Sequence, residues 1–181
     1  MLVLASNSPR RREILTAAGF AFIVRVPNII EERRAGEPPV DYVRRLAEEK
    51  ARAVPLNPCE IVLAADTTVV MGEHVLEKPA DEAEARRMLT MLSGREHRVI
   101  TGICLRTSAR TLIDSAATRV QFMRLAPQEI ADYAASGEPM DKAGGYAIQG
   151  LGSKFVERID GCYFNVMGLP ISLVYEHWKK L

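Results

Sequence analysis

Cysteine is scarce. Cys59, Cys104 and Cys162 are odd in number, far apart and without a C-x-x-C spacing, which excludes a disulfide framework and a structural zinc site and points to a reducing cytosol. Eighteen uninterrupted apolar residues occur nowhere, and charge arrives at Arg10 after a short apolar start, so neither a membrane span nor an export signal is expected. Net charge is also lacking: 24 Lys and Arg stand against 23 Asp and Glu, leaving +1 and no global pull toward nucleic acid or an acidic membrane. Any anion binding must be local. G-x-x-x-x-G-K-[ST] is absent, and no glycine-rich turn follows the first strand, which removes the P-loop and the dinucleotide fingerprint. His74, His97 and His177 have no evident acid partners in the sequence, so no Ser-His-Asp or Cys-His set is indicated.

What is present starts at Leu2. Leu2 to Ala5 is unbroken apolar sequence, followed at once by Ser6-Asn7-Ser8-Pro9-Arg10-Arg11-Arg12. Ser8 is placed to cap a helix with Pro9 at its first position, where no N–H is needed, and the free amides of such a turn attract phosphate. A solvated basic helix start is the competing reading. The helix is expected from Pro9 to Ala18 with Gly19 as its stop, and a second strand over Phe20 to Val26. The segment through Glu31, Glu32, Arg33 and Arg34 has neither period and reads as a loop before a helix from Val40 to about Ala53. On that helix Lys50 shares the stripe of Val43, Leu46 and Ala47, so it either snorkels or faces a site.

Ile61 to Ala65 is a second apolar run, as in a strand covered on both faces; it ends in Asp66-Thr67-Thr68, and the strand resumes through Val69, Val70 and Met71 before a turn near Gly72. Because ligands of open α/β sheets bind beyond the carboxyl ends of strands, Ser6 to Arg11 and Asp66 to Thr68 are expected to face one cleft, against the alternative of Asp66 capping a turn. Lys78 precedes Pro79 and is held extended. Asp81 with Glu84 forms a capping box for a helix carrying Ala85, Met88, Leu89 and Leu92 and ended by Gly94. His97 to Leu105 and Thr111 to Leu125 read as antiparallel strands, Pro127 to Ala135 as a short helix, and Ile171 to Trp178 as the last helix. Four glycines lie between Gly144 and Gly152. The fold class is therefore α/β with a mixed, partly antiparallel sheet flanked by helices.

Cations (Arg10, Arg11, Lys50, Lys78, Lys142) and acids (Glu31, Glu32, Asp66, Asp141) that converge on a cleft suit a metal–polyphosphate site. Magnesium takes a few carboxylate oxygens plus water and substrate phosphates, while Arg and Lys neutralise the remaining oxygens. The residues alone lead to a nucleotide or phosphate-ester enzyme.

Ser6-Asn7-Ser8-Pro9-Arg10-Arg11, Leu46-Ala47-Glu48-Glu49-Lys50-Ala51, Ala65-Asp66-Thr67, Glu77-Lys78-Pro79, Leu92-Ser93-Gly94, Glu138-Pro139-Met140-Asp141-Lys142-Ala143-Gly144, Ile148-Gln149-Gly150 and Val166-Met167-Gly168-Leu169-Pro170 together resemble the Maf family of nucleoside triphosphate pyrophosphatases. The resemblance spans the chain as a single Maf-like domain, residues 1–181. It implies two lobes around a central cleft, as in Maf and ITPase-like proteins, a homodimer in the cytosol, a divalent metal (Mg²⁺ or Mn²⁺), and cleavage of a nucleoside triphosphate to monophosphate and pyrophosphate. By the same resemblance Asp66 is base or metal holder, Glu32 a second acid for the metal, Lys50 and Lys78 act with Asp66 in catalysis, and Ser8, Arg10, Arg11 and Lys142 contact substrate. Arg11, Thr67 and Gln149 resemble the dTTP and UTP subgroup, the Gln149 amide offering a donor and an acceptor to the pyrimidine edge. The alternative is a nucleotide-binding regulator of cell division, or septum formation, that does not depend on turnover. The chain departs from the family loop at Gly145 and Ala147, and Ala147 is strained if that position requires positive φ.

Overall fold

A computed structural model describes residues 1–181. In chain order it contains β1 (Leu2–Leu4), α1 (Pro9–Ala17), β2 (Phe22–Val24), α2 (Pro39–Ala53), β3 (Ile61–Met71), β4 (His74–Leu76), α3 (Glu82–Leu92), β5 (Glu96–Arg106), β6 (Thr111–Phe122), α4 (Pro127–Ala135), β7 (Val156–Asp160), α5 (Tyr163–Met167) and α6 (Ile171–Trp178), with 3₁₀ turns at Glu138–Asp141, Ala143–Gly145 and Leu151–Phe155. The strands form one seven-stranded sheet in the order β2-β1-β3-β5-β6-β7, with β4 paired to β3. β2, β1 and the start of β3 are parallel, whereas β3 with β4 and β6 with β7 are antiparallel, so the sheet is mixed. By packing, the chain falls into two compact units: Met1–Thr67, Thr101–Ala116 and Phe164–Leu181 in the first, Thr68–Ile100 and Ala117–Tyr163 in the second.

In the first unit both faces of the sheet are covered, which is why β1 and the start of β3 carry no polar alternation. Leu2, Leu4, Leu63 and Ala65 pack with Ile14 and Leu15 of α1 and Val174 of α6. Val3, Ala5, Val62 and Ala64 pack on the other side with Ala47 and Ala51 of α2. Gly102 lets α2 approach β5: a Cβ there would lie 2.3 Å from the Val43 carbonyl oxygen. α1 starts as its sequence requires, with Ser8 extended and its hydroxyl accepting from the Arg11 amide at 3.5 Å. It stops at Gly19, whose φ of +75° lets the Gly19 and Phe20 amides reach the Thr16 and Leu15 carbonyls.

The second unit is built around α3, α4 and aromatic side chains. Ala85, Met88, Leu89 and Leu92 form the buried stripe of α3, while Phe122 makes ring contacts with His97, Tyr146 and Phe155. The Asp81 carboxylate caps the Glu84 amide at 2.8 Å, but Glu84 reaches back to the Ala80 amide instead of to Asp81 itself.

Several sequence expectations are corrected here. β3 reaches Met71 as expected but without the interruption at Asp66-Thr67-Thr68, because Thr67, Thr68, Val69 and Val70 are β-branched and suit a continuing strand. β2 shortens to Phe22–Val24, and β7 and α5 form where the sequence shows no clear strand or helix period. Ala147 is not strained, since Cys59 is the only non-glycine residue at positive φ, and the left-handed positions of the loop fall on Gly144 and Gly145.

Candidate functional site

The site in the first unit is assembled by the strict alternation of β3. Even-numbered Val62 and Ala64 face α2, so Asp66 does too; odd-numbered Leu63 and Ala65 face α1 and α6, and Thr67 follows them. On the α2 side the Lys50 ammonium donates to Asp66 Oδ1 and to Glu31 Oε2, both at 2.7 Å. Lys50 and Asp66 are 5% and 7% exposed, so this is a buried ion pair, while the Glu31 side chain keeps 45% of its surface. Lys50 therefore does not snorkel to water; its stripe position carries it into the cluster.

On the opposite face the Arg11 guanidinium is held at three points. Nε donates to the Gly168 carbonyl at 2.8 Å, Nη1 to Ser6 Oγ at 3.1 Å and Nη2 to Thr67 Oγ1 at 3.2 Å. Thr67 Oγ1 also lies 3.0 Å from Thr101 Oγ1. Burial lowers the Arg11 pKa from its ordinary value, while the charges of Asp66 and Glu31 act the other way and Arg10 adds to the lowering. Arg11 thus feels both carboxylates across the strand. The solvated reading of the arginine run fails for Arg11, which is buried, while Arg12 is half-buried with its guanidinium on Asn7.

The loop that supplies Glu31 is tied down by a residue that nothing in the sequence pattern marks. Arg45 on α2 grips Glu37 with two hydrogen bonds, 2.6 and 2.7 Å, and donates to the Glu32 carbonyl at 3.0 Å. That grip, outweighing some desolvation, holds the Glu37 carboxyl at about 2 and raises the Arg45 pKa further. Glu32, expected as the second acid, is exposed and contributes its backbone carbonyl to Arg45; the carboxylate that reaches Lys50 belongs to Glu31. Ser8 and Arg10 are half-buried at the start of α1.

Lys78, Lys142 and Gln149 belong to the second unit. Lys78 and Gln149 are exposed, and the Lys142 ammonium bonds the Glu138 carbonyl at 2.6 Å and Asp141 Oδ1 at 2.5 Å. Gln149 rides on a loop anchored by Glu138, whose carboxylate accepts from the Tyr133 hydroxyl at 2.7 Å and from the Leu151 and Gly152 amides at 2.9 and 3.1 Å. Burial alone would raise the Glu138 pKa, but the Leu151 amide and then the other two donors hold it below the usual carboxylate value. A side chain at 150 would collide with this carboxylate, a Cβ lying 2.4 Å from Oε2, so the Glu138 contact and Gly150 are one feature.

His177 does have an acid partner, contrary to the sequence expectation: Nε2 lies 2.9 Å from Asp114 Oδ2, with Arg44 at 3.4 Å from Oδ1. The pairing is long-range, between β6 and α6, and leaves no mark on sequence spacing.

No three His, Cys, Asp or Glu side chains converge on a point that would hold a metal by themselves. Asp66 and Glu31 nevertheless offer hard oxygens on one cation, and magnesium asks for only one or two carboxylates when phosphates and water complete its shell, so the donor set fits that kind of ion.

A protein of Koribacter versatilis named dTTP/UTP pyrophosphatase is 51% identical over 180 residues, 99% of this chain and 93% of that protein. One of the same name from Anaeromyxobacter dehalogenans is 54% identical over 175 residues, 94% and 89% of the two chains. Among solved structures, the Ham1 protein of Staphylococcus aureus shares the fold with a TM-score of 0.54 at 14% identity, covering 99% of this chain and 98% of that one. Residues 1–181 match the family described as Maf-like protein, and with the whole length matched, the chain belongs to the Maf family.

Proposed function

We propose that this protein is a nucleoside triphosphate pyrophosphatase that cleaves dTTP and UTP between the α- and β-phosphates, giving the monophosphate and pyrophosphate, with residues 1–181 acting as one functional domain. The observation that carries this reading is the buried Lys50 ammonium bridging Asp66 and Glu31, with the Arg11 guanidinium held on the other face of β3 by Gly168, Ser6 and Thr67. The names of the relatives at 51% and 54% identity support the substrate class.

Water attacks the α-phosphorus, the α–β bridging bond breaks, and the electron pair leaves with pyrophosphate. Arg11 and Lys50 neutralise phosphate oxygens, and the same charges stabilise the negative charge that grows on the leaving group. Asp66, hydrogen-bonded to Lys50, either orients and deprotonates the attacking water or holds metal; either role needs its carboxylate ionised. Ser8, Arg10, Lys78 and Lys142 add phosphate contacts. Arg11, Thr67 and Gln149 select the base, the Gln149 amide pairing with the pyrimidine O4 and N3–H. Asp66 with Glu31 would hold Mg²⁺ or Mn²⁺, which supplies charge neutralisation on the triphosphate; Glu32, the second acid that the family resemblance implied, lies beside Glu31 in the chain. The same reading has the chain working as a cytosolic homodimer. Exposed Ile23, Val24 and Val26 at the edge strand β2 support the dimer as an apolar surface, and no helix is long and apolar enough to cross a membrane.

The test is pyrophosphate release from UTP and dTTP by the purified protein with Mg²⁺ or Mn²⁺, compared with Asp66→Asn. Turnover by the native chain and its loss in the variant, with UTP still bound, is the expected result. Absence of turnover in the native chain overturns the proposal.

A further inference from the structure

A second basic feature lies wholly within the second unit and is not used by the chemistry above. Ser93, Gly94 and Arg95 are laced to the stretch Phe122 to Leu125 by three hydrogen bonds: the Leu125 amide to Ser93 Oγ at 2.8 Å, the Gly94 amide to the Met123 carbonyl at 2.9 Å, and the Phe122 amide to the Arg95 carbonyl at 3.1 Å. Gly94 has φ +69°, and a Cβ there would lie 3.7 Å from the Arg124 Cα and Cβ. The lacing therefore fixes the backbones of Arg95 and Arg124 side by side.

Both arginines, with Arg86 of α3, line a cavity of about 740 Å³ whose wall includes Pro127 and Ala131 and no carboxylate. Arg86 is paired one turn back to Glu82, but the Arg95 and Arg124 guanidiniums make no hydrogen bond or ion pair. They stand uncompensated although the second unit carries twelve Asp and Glu against ten Lys and Arg. An anion seated on both arginines gains charge-assisted hydrogen bonds. Ser93 adds a donor, since its oxygen accepts from Leu125 while its hydroxyl proton has no acceptor. The volume lies within the range of small-molecule pockets and exceeds what a lone phosphate fills. Pro127, exposed, and Ala131, half-buried, present the accessible apolar part of the lining, which suits a flat ring.

We propose that this cavity is a second binding site, for a nucleoside phosphate whose phosphates lie on Arg95 and Arg124 and whose base covers Pro127 and Ala131. It shares no lining residue with the hydrolytic site and does not depend on the reaction assigned there.

The test titrates ADP and, separately, inorganic tripolyphosphate into the full-length protein and into Arg95→Glu/Arg124→Glu by calorimetry. Both side chains are exposed, so the charge reversal is not expected to disturb the fold. The expected result is ADP binding at millimolar affinity or better, weakened at least tenfold in the double variant, with UTP hydrolysis in the absence of ADP within twofold of native. ADP binding that is absent, or unchanged by the double substitution, overturns the site. Tripolyphosphate binding as tightly as ADP overturns the base-binding wall and with it the nucleoside assignment. Because UTP hydrolysis is read separately, failure here is distinct from failure of the proposed enzymatic function.

Discussion

Replacing Lys50 by methionine removes an ammonium from between two carboxylates that differ sharply in their access to water. The Glu31 side chain, 45% exposed, turns to solvent at little cost, but the Asp66 side chain, 10% exposed, is left as a buried charge without its partner. Deleting one member of a buried pair costs about 3–5 kcal/mol, and with only one of the two acids truly stranded the lower figure, about 3 kcal/mol, applies. In a chain of this size that lowers Tm by roughly 10 °C. Asp66→Asn alone should cost less, about 1–2 kcal/mol, because Lys50 keeps Glu31 at 2.7 Å. The double variant Lys50→Met/Asp66→Asn buries no charge and should recover about 2 kcal/mol relative to the sum of the single changes. Urea unfolding of the four proteins reads this directly, and all three variants should lack pyrophosphate release. Strict additivity of the two single changes would refute the reasoning, because it would mean that water reaches Asp66 and that the cluster is not a low-dielectric site.

Acid should weaken the second unit through His97. Burial pushes this imidazole from 6.5 down to about 4, against a smaller upward effect from the Arg95 backbone. Since the unfolded chain binds the proton more readily, stability is complete above pH 6.5 and falls as the pH drops toward 4, by about 2 kcal/mol at pH 5, and His97→Gln should flatten the urea midpoint over that window. Gly102→Ala should act on the site at a distance. Its Cβ would meet Val43 and Arg44 backbone atoms at 2.3–2.7 Å, so α2 must move and carry Lys50 with it; a loss of activity of at least tenfold is expected, measured alongside Tm. Glu138→Ala should free the loop that carries Gln149, raising KM for UTP severalfold with kcat nearly unchanged and narrowing the preference for UTP over CTP. Glu138→Gln should restore part of the preference, since its amide oxygen still accepts a hydrogen bond from Tyr133 or Leu151.

The sequence displayed the scaffold well where local rules decide. Ser8-Pro9, Gly19 and Asp81 set helix boundaries by capping chemistry that acts within a few residues, and the double-faced apolar runs of β1 and β3 announced strands covered on both sides. Lys50 was visible as an anomaly on an apolar stripe, although only the fold says that Asp66 waits opposite it. What stayed hidden depends on partners distant in sequence. Glu31 and Glu32 sit in a loop without period, and the choice between them is made by Arg45, whose grip on Glu37 and on the Glu32 carbonyl leaves Glu31 to reach Lys50. Asp66 and Thr67 looked like the polar end of a strand because a carboxylate there suits a cleft. They lie instead within a continuous strand, and the two-residue repeat sends one to Lys50 and the other to Arg11, so a single strand reaches two cations on opposite faces of the sheet with adjacent residues. Inserting one residue between Ala65 and Asp66 would exchange those faces, which makes the spacing of the two side chains along β3, and not merely their presence, the feature on which the site depends.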